Sequence, residues 1–223
     1  MSPVTSFEDF EDTPAVRGFL HTPDAPAGHG LVMTHGAGSN ARAPLLVAIA
    51  DAFAAAGIAV LRCDLPFRQA RPQGPPYPAI AAQDRAGIAR AVRALRQRVP
   101  GKVFLGGHSY GGRQSSMVAS EQPDLAAGLL LCSYPLHAPG RADQRTAHFP
   151  KLITPTLFLH GTRDPFGTID EMRSATASLA APHEVVVIEG AGHDLGGKSS
   201  AARVAQTALD AFRRLGWISG TST

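Results

Sequence analysis

The stretch 106–112, Gly-Gly-His-Ser-Tyr-Gly-Gly, places one serine among four glycines, directly after the apolar run Val-Phe-Leu at 103–105. Glycine is used where the chain adopts dihedral angles that other residues avoid, or where two backbones approach closely. Within the stretch, Gly107, Ser109 and Gly111 match the pattern Gly-x-Ser-x-Gly. Between a strand and a helix, this pattern forms a sharp turn that holds the serine hydroxyl above the edge of a sheet. Alone, the pattern fits a purely structural turn equally well, so the rest of the chain must decide.

Short apolar runs alternate with amphipathic segments along the chain. Six runs have the length and composition of buried strands, at 30–35, 58–63, 103–107, 128–133, 156–160 and 184–189. Five segments have helical periodicity, at 43–56, 80–99, 110–121, 168–181 and 198–215. This alternation predicts an α/β fold in which helices cover both faces of a mostly parallel sheet. Residues 16–20, VRGFL, are predicted to add a seventh, antiparallel strand at the edge.

Two stretches do not fit this alternation. Residues 65–79 contain five prolines and are predicted to form an irregular loop, because proline lacks a backbone N–H and restricts the residue before it. Residues 134–150 form a second excursion, after the fourth of the six strand runs. With 223 residues, 44% of them hydrophobic, the chain is expected to fold as one domain over 1–223.

Composition and charge exclude several classes of function. The net charge is +3, and the arginines of the segment 84–99 fall between apolar positions of one predicted helix, so no nucleic-acid partner is expected. No apolar run approaches the roughly 20 residues that a membrane span needs. The start, MSPVTSFEDFED, is acidic and has neither a basic segment nor an apolar stretch, which predicts no secretory signal. Cys63 and Cys132 are expected to be buried free thiols, which predicts a cytoplasmic protein without disulfides. A bridge between the two cysteines is the alternative.

The ends of the strand runs carry the side chains that suit catalysis. In open α/β sheets, ligands bind beyond the carboxyl ends of the strands. Ser109, Asp164 and His193 each follow a different run, in that chain order. A serine hydroxyl becomes a nucleophile when a histidine takes its proton and a carboxylate orients that histidine. We therefore expect these three residues to form a catalytic triad.

Such a triad works with two backbone amides that stabilise the oxyanion formed during attack. The residue after the nucleophile, here Tyr110, supplies one amide, and the loop after an early strand supplies the other. That loop is His-Gly-Ala-Gly at 35–38, where the glycines permit the turn and Ala37 is the candidate donor.

At these positions the chain resembles the α/β-hydrolase superfamily, and in particular its small branch similar to dienelactone hydrolases. The resemblance lies in THGAGSN, GGHSYGGR, SYPLHAPG, LHGTRDPFG and EGAGHDL, at 34–40, 106–113, 133–140, 159–167 and 189–195. It is strongest toward a group of compact predicted hydrolases within that branch. The resemblance implies the α/β-hydrolase fold, the triad and esterase-like chemistry. Dienelactone hydrolases use a cysteine nucleophile where this chain has Ser109, which argues against their particular reaction.

Other acids have competing interpretations. Asp64 follows the run at 58–63 and is the alternative triad acid, since some hydrolases shift the acid between strands. Asp170 and Glu171 fit the first turn of a helix, where carboxylates interact favourably with the helix dipole. Asp164 is preferred because it follows a strand end directly and matches the position of the acid in the family.

Three further residues are candidates for contact with the substrate. His137 and His148 lie in the excursion and are candidates to line the pocket. Arg113 follows the glycines of the turn and has a guanidinium well shaped for a carboxylate. No histidine pair has zinc-ligand spacing, so no metal is expected. The serine chemistry of the triad requires no cofactor.

The sequence thus predicts a serine hydrolase that acts on small ester-like molecules, either esters or thioesters, through an acyl-enzyme. Peptidases and acyltransferases use the same triad, and a non-catalytic binding protein can retain the fold, so these stay as alternatives. The excursion at 134–150 stands where larger relatives insert a lid, and its shortness predicts an open, shallow site. Nothing in the sequence favours a particular oligomeric state.

Overall fold

The strands of the protein form one eight-stranded sheet in the computed structural model, which describes residues 2–138, 140–141 and 143–218. In chain order they are β1 (Val4–Asp9), β2 (Val16–His21), β3 (Gly30–Thr34), β4 (Ala59–Asp64), β5 (Val103–His108), β6 (Leu129–Cys132), β7 (Thr156–Gly161) and β8 (His183–Ile188). Their order across the sheet is β1-β2-β4-β3-β5-β6-β7-β8. β2 pairs antiparallel with both β1 and β4, and the remaining neighbours pair parallel.

Helices cover both faces of the sheet, as the sequence predicts. They are α1 (Pro44–Ala55), α2 (Pro66–Ala70), α3 (Ala81–Arg96), α4 (Tyr110–Glu121), α5 (Ile169–Thr176) and α6 (Gly197–Arg214). α1 and α6 share one hydrophobic cluster with the sheet, and α3 and α4 share the cluster on the opposite face. None of the described helices combines the length and hydropathy that crossing a bilayer requires.

The central strand β3 links the two hydrophobic clusters. Leu31 and Met33 pack with α1 and α6, whereas Val32 packs with α3 and α4, and all three are fully buried. A strand buried on both faces is continuously apolar, which is why the run at 30–35 is easy to recognise. Complete burial of one such side chain stabilises the fold by about 1.5–3 kcal/mol.

Helix α3 has the amphipathic pattern predicted for it. Ile88, Val92 and Leu95 are fully buried against the sheet. Arg93 and Arg96 lie on the other side of the helix and bond to the turn that follows α4. These arginines therefore belong to a solvated face that is tied to a neighbouring loop.

The predicted count of six to seven strands was too low, and the predicted edge position of VRGFL was wrong. That segment is β2, which lies second from the edge because β1 pairs with its outer side. The sequence of β1, VTSFED, gives no apolar run, since Phe7 is its one buried residue. An antiparallel strand of this kind is specified by the partner that it pairs with, more than by its own hydrophobicity.

The expectation of an irregular loop over 65–79 was wrong at its start, where α2 forms. Pro66 is the first residue of α2, a position whose N–H would have no helical acceptor and whose φ proline already sets. The excursion at 134–150 does lack a helical lid among its described residues and ends in one 3₁₀ turn, Phe149–Lys151. Positions 139 and 142 of the excursion lie outside the described residues.

Candidate active site

Ser109 occupies the turn between β5 and α4. Its φ of 53° and ψ of −117° are rare for a residue other than glycine, and such a conformation costs about 1–3 kcal/mol. The turn closes because its neighbours have no side chains. A Cβ on Gly111 would lie 2.5 Å from the carbonyl oxygen of His35, and one on Gly107 would lie 2.6 Å from the carbonyl carbon of Gly111. β5 and α4 can therefore approach closely enough to present Ser109 to a cavity.

The structure brings Ser109, His193 and Asp164 together at the carboxyl end of the parallel strands. The Nε2 atom of His193 lies 2.8 Å from Ser109 Oγ. The Nδ1 atom of the same ring lies 2.8 Å from Oδ2 and 3.0 Å from Oδ1 of Asp164. Because an ionised carboxylate only accepts hydrogen bonds, Nδ1 carries the ring proton and Nε2 accepts from the serine hydroxyl.

The loop after β7 holds Asp164 in a nearly closed environment, with 5% of the residue exposed. The backbone amide of Phe166 donates to Asp164 Oδ1 at 2.9 Å. His160 Nε2 donates to the carbonyl oxygen of Gly167 at 2.7 Å and lies 3.9 Å from Asp164 Oδ2. These contacts leave the carboxylate one orientation, toward His193.

His193 is held by two neighbours that the sequence analysis did not identify. The ring of Phe166 lies against the imidazole, with 4.1 Å between ring centroids and 31° between planes. His108 Nε2 donates to the carbonyl oxygen of His193 at 2.7 Å. Burial lowers the pKa of His108, so its ring is neutral and serves as a brace.

The alternative acids have other partners. Asp64 Oδ1 accepts a hydrogen bond from the amide of Ala41 at 2.7 Å and lies 3.6 Å from His35 Nε2. Glu171 closes a capping box with Thr168 at the start of α5, as expected for an acid in a first helical turn. The carboxylate that contacts the His193 ring is that of Asp164.

Both backbone amides expected to stabilise an oxyanion belong to residues that line the same cavity as the serine, Ala37 and Tyr110. Tyr110 is the first residue of α4, so its amide has no acceptor within the helix. The peptide unit that carries the Ala37 amide is held at its other end, where His35 Nδ1 lies 2.8 Å from the Gly36 carbonyl oxygen. The amide of Leu65 donates to His35 Nε2 at 3.1 Å, which places the ring proton on Nδ1.

A cavity of about 550 Å³ opens beside the serine. The proline-rich segment 75–78 forms one wall, and α4 forms another through Arg113 and Met117. Arg145 enters from the excursion. Within the described part of the chain, no group of three or more His, Cys, Asp or Glu side chains is placed to hold a metal ion.

His137 and His148 are not among the residues that line this cavity, contrary to the expectation for them. His148 Nε2 lies 2.8 Å from Ser116 Oγ, and burial, with the charge of Arg113, lowers the pKa of His148 to about 4. The His137 side chain bonds to its own segment, because Nδ1 donates to the carbonyl oxygen of Ala138 at 2.9 Å. Arg113 does line the cavity, and Arg145 was missed because nothing in its local sequence marks it.

Comparison with known proteins gives the family and the fold of the chain. Residues 27–217 match the family model described as the alpha/beta hydrolase domain. A dienelactone hydrolase from Anabaena variabilis has a TM-score of 0.76 at 22% identity, over 96% of this chain and 98% of its own. An α/β serine hydrolase without a lid from Xanthomonas campestris has a TM-score of 0.77 at 15% identity, over 98% and 96%. At these identities the two structures show a shared fold.

Proposed function

The chain belongs to the α/β-hydrolase family, and from that premise we propose that it is a serine hydrolase that cleaves small esters or thioesters through an acyl-enzyme. The observation that carries this proposal is the hydrogen-bonded series from Ser109 Oγ through His193 to Asp164, with 2.8 Å at each link. A hydroxyl, a base and a buried acid in this order are the groups that activate a serine.

In the proposed reaction, Ser109 Oγ attacks the carbonyl carbon of the substrate while His193 Nε2 accepts the hydroxyl proton. Asp164 keeps its hydrogen bond to Nδ1 and stabilises the imidazolium that forms. The carbonyl oxygen becomes an oxyanion and accepts hydrogen bonds from the amides of Ala37 and Tyr110. Loss of one such donor costs about 2.7–4 kcal/mol of transition-state stabilisation, so the orientation of these two amides contributes strongly to the rate.

The second half of the proposed cycle returns the enzyme to its starting state. The leaving alkoxide or thiolate takes the proton from His193 and departs, which leaves the acyl group on Ser109 Oγ. A water molecule then attacks the acyl carbon and gives its proton to Nε2. The acid is released as Ser109 recovers its hydroxyl proton from His193, and no cofactor takes part.

The size of the proposed substrates follows from the walls of the cavity. Between β6 and β7, the described residues of the excursion form no lid helix, so one side of the site is open. The Xanthomonas campestris neighbour is likewise described as a serine hydrolase without a lid. An uncovered site supports small acyl groups, because a long chain would stay in contact with water.

Steady-state hydrolysis of 4-nitrophenyl acetate and of a short acyl thioester tests this function. We expect Ser109→Ala to lower kcat at least about a thousandfold. Ser120→Ala is the matched control on the same helix, since among the described residues Ser120 Oγ bonds only to the Met117 carbonyl oxygen, 2.7 Å away. Unchanged turnover by Ser109→Ala would overturn the proposal. Cleavage of peptides alone, transfer to an acceptor alcohol alone, or no reaction by the folded protein would each favour one of the alternative functions.

We also propose a cytoplasmic location. Cys63 and Cys132 are both free and buried. Burial raises the pKa of each thiol to about 12, so neither is prepared for disulfide exchange. Buried reduced thiols are common in cytosolic proteins. Cell fractionation tests the location, and recovery of the protein from a secreted fraction would contradict it.

A further inference from the structure

Two arginines line the cavity beside Ser109 without forming an ion pair in the described structure. Arg113 lies in the first turn of α4, and Arg145 belongs to the excursion between β6 and β7. Neither guanidinium takes part in the ion pairs formed among the described residues. The Nε atom of Arg113 is buried and has no hydrogen-bond partner there. A buried donor left in this state carries a desolvation cost, so the fold does not fully compensate the Arg113 guanidinium.

A third arginine in the same cavity shows the contrast. Arg85 Nε lies 3.1 Å from Glu121 Oε1, and its Nη1 lies 3.2 Å from Gln114 Oε1. The fold thus supplies a carboxylate and an amide oxygen for Arg85, whereas neither Arg113 nor Arg145 is paired with a carboxylate among the described residues.

The buried acid near this cavity is not a counterion for them. Asp84 accepts hydrogen bonds from the Tyr110 hydroxyl at 2.7 Å and from the Phe67 amide at 3.0 Å. Burial raises the pKa of Asp84, which further weakens it as a fixed negative charge. Asp84 therefore does not neutralise Arg113 and Arg145, and Asp143, whose charge also acts on Arg145, forms its ion pair with Arg141 instead.

The positive charges of Arg113 and Arg145 also repel each other. Burial, and then the charge of Arg113, lowers the pKa of Arg145. Two like charges that share a cavity repel each other, and an anion between them relieves the repulsion. The structure therefore holds an unfavourable cationic pair at the position where a substrate would lie.

We propose that the substrate carries a carboxylate that Arg113 and Arg145 hold while its ester carbonyl lies at Ser109. This inference rests on the proposed serine hydrolase function and narrows its substrate class to half-esters and half-thioesters of short dicarboxylic acids. A guanidinium matches a carboxylate with two parallel hydrogen bonds. Met117 and Phe166 line the same cavity and supply apolar contact for the short carbon chain between the two ends.

Turnover of a matched pair of esters tests the inference. Monomethyl glutarate carries the carboxylate, and methyl 4-carbamoylbutanoate has the same shape with a neutral amide. We expect the unaltered enzyme to favour the anionic ester in kcat/KM by at least about tenfold, and Arg113→Gln or Arg145→Gln to reduce that ratio about tenfold. Arg93→Gln removes an equal charge from the exposed side of α3, where the side chain bonds to Gln122, and should keep the ratio.

A ratio near one in the unaltered enzyme would overturn the inference. So would an unchanged ratio in both cavity variants, or an equal reduction in Arg93→Gln. Because the ratio compares two esters on one protein, a partial loss of folded protein in a variant does not affect it.

Binding to Ser109→Ala protein separates this inference from the proposed function. Calorimetric titration should show monomethyl glutarate binding at least about tenfold more tightly than the neutral amide, and the preference should disappear on adding Arg113→Gln. If Ser109→Ala protein binds the anion selectively but the unaltered protein hydrolyses neither ester, the carboxylate site is supported and the hydrolase function is refuted. Hydrolysis of both esters at equal rates, without selective binding, would refute the carboxylate site alone.

Discussion

The imidazole Nδ1 of His35 donates to the carbonyl oxygen of Gly36 at 2.8 Å, at the opposite end of the peptide unit that carries the Ala37 amide. The amide of Leu65 donates to Nε2 of the same ring, which requires a neutral imidazole. Burial lowers the pKa of His35 and keeps the ring in that state. The end of β3 and the end of β4 therefore jointly set the direction of one proposed oxyanion donor.

Replacing His35 with alanine should lower kcat for 4-nitrophenyl acetate about tenfold with little change in KM, because the amide acts on the oxyanion more than on the bound ester. His183→Ala is the control, since His183 is exposed at the start of β8. A rise in KM without a fall in kcat would show that His35 acts on binding alone and would contradict the positioning role.

The two strand-end acids should behave differently when each is changed to asparagine. Asp164→Asn should lower kcat about 10⁴-fold, because an amide cannot hold His193 in the required tautomer. Asp64→Asn keeps an oxygen that can accept from the Ala41 amide and should retain most of the activity. Steady-state kinetics on both variants checks this, and a larger loss in Asp64→Asn would identify Asp64 as the triad acid.

The turn at Ser109 depends on a glycine that a methyl group would disrupt. Gly111→Ala should destabilise the fold by about 3 kcal/mol, since its Cβ would overlap the backbone that ends β3. Gly38→Ala is the matched control, because a Cβ there meets nothing within 4 Å. Urea unfolding measures both, and equal midpoints would contradict the steric explanation.

His148 should make the fold sensitive to acid. Burial, with the charge of Arg113, lowers its pKa from 6.5 to about 4. Between these values the unfolded chain binds more protons than the folded one, so the free energy of unfolding falls as the pH drops from 6.5 toward 4. This contribution is fully present above pH 6.5.

The variant His148→Gln cannot titrate and should lose less stability over the same window. Other buried histidines with lowered pKa values retain part of the effect. Urea unfolding at pH values above and inside the window compares the two proteins. An identical loss in both would show that His148 does not contribute.

The open site should favour short acyl chains. In a series of 4-nitrophenyl esters, we expect kcat/KM to be highest for acetate to butyrate and to fall for long chains, since no lid helix is present among the described residues to shield them. Assays below the critical micelle concentration of each ester keep the comparison to dissolved substrate. Faster hydrolysis of a long-chain ester would contradict the open site.

The sequence carried most of the information on where Ser109, Asp164 and His193 lie. Each follows an apolar run, and the carboxyl ends of parallel strands meet at one edge of a sheet. The helix at Pro66 was harder to predict, because proline usually signals a break and is favourable only at a first helical position. Strand β1 was missed because Phe7 alone is buried in it.

The walls of the cavity could not be predicted in the same way, because contacts between distant segments create them. Arg145 reaches the cavity because its amide donates to the Leu136 carbonyl at 2.7 Å and its carbonyl accepts from the Tyr134 hydroxyl at 2.6 Å. His148, in the same segment, contacts Ser116 of α4. No periodicity or motif in 134–150 encodes these bonds.

Labelling of the purified protein with a fluorophosphonate, followed by mass-spectrometric mapping, asks directly whether Ser109 is an activated nucleophile. We expect a single covalent adduct on Ser109, absent from Ser109→Ala and present in Ser120→Ala, because His193 Nε2 lies 2.8 Å from the hydroxyl oxygen. A folded protein that acquires no adduct, or an adduct elsewhere that persists in Ser109→Ala, would contradict the proposed serine hydrolase.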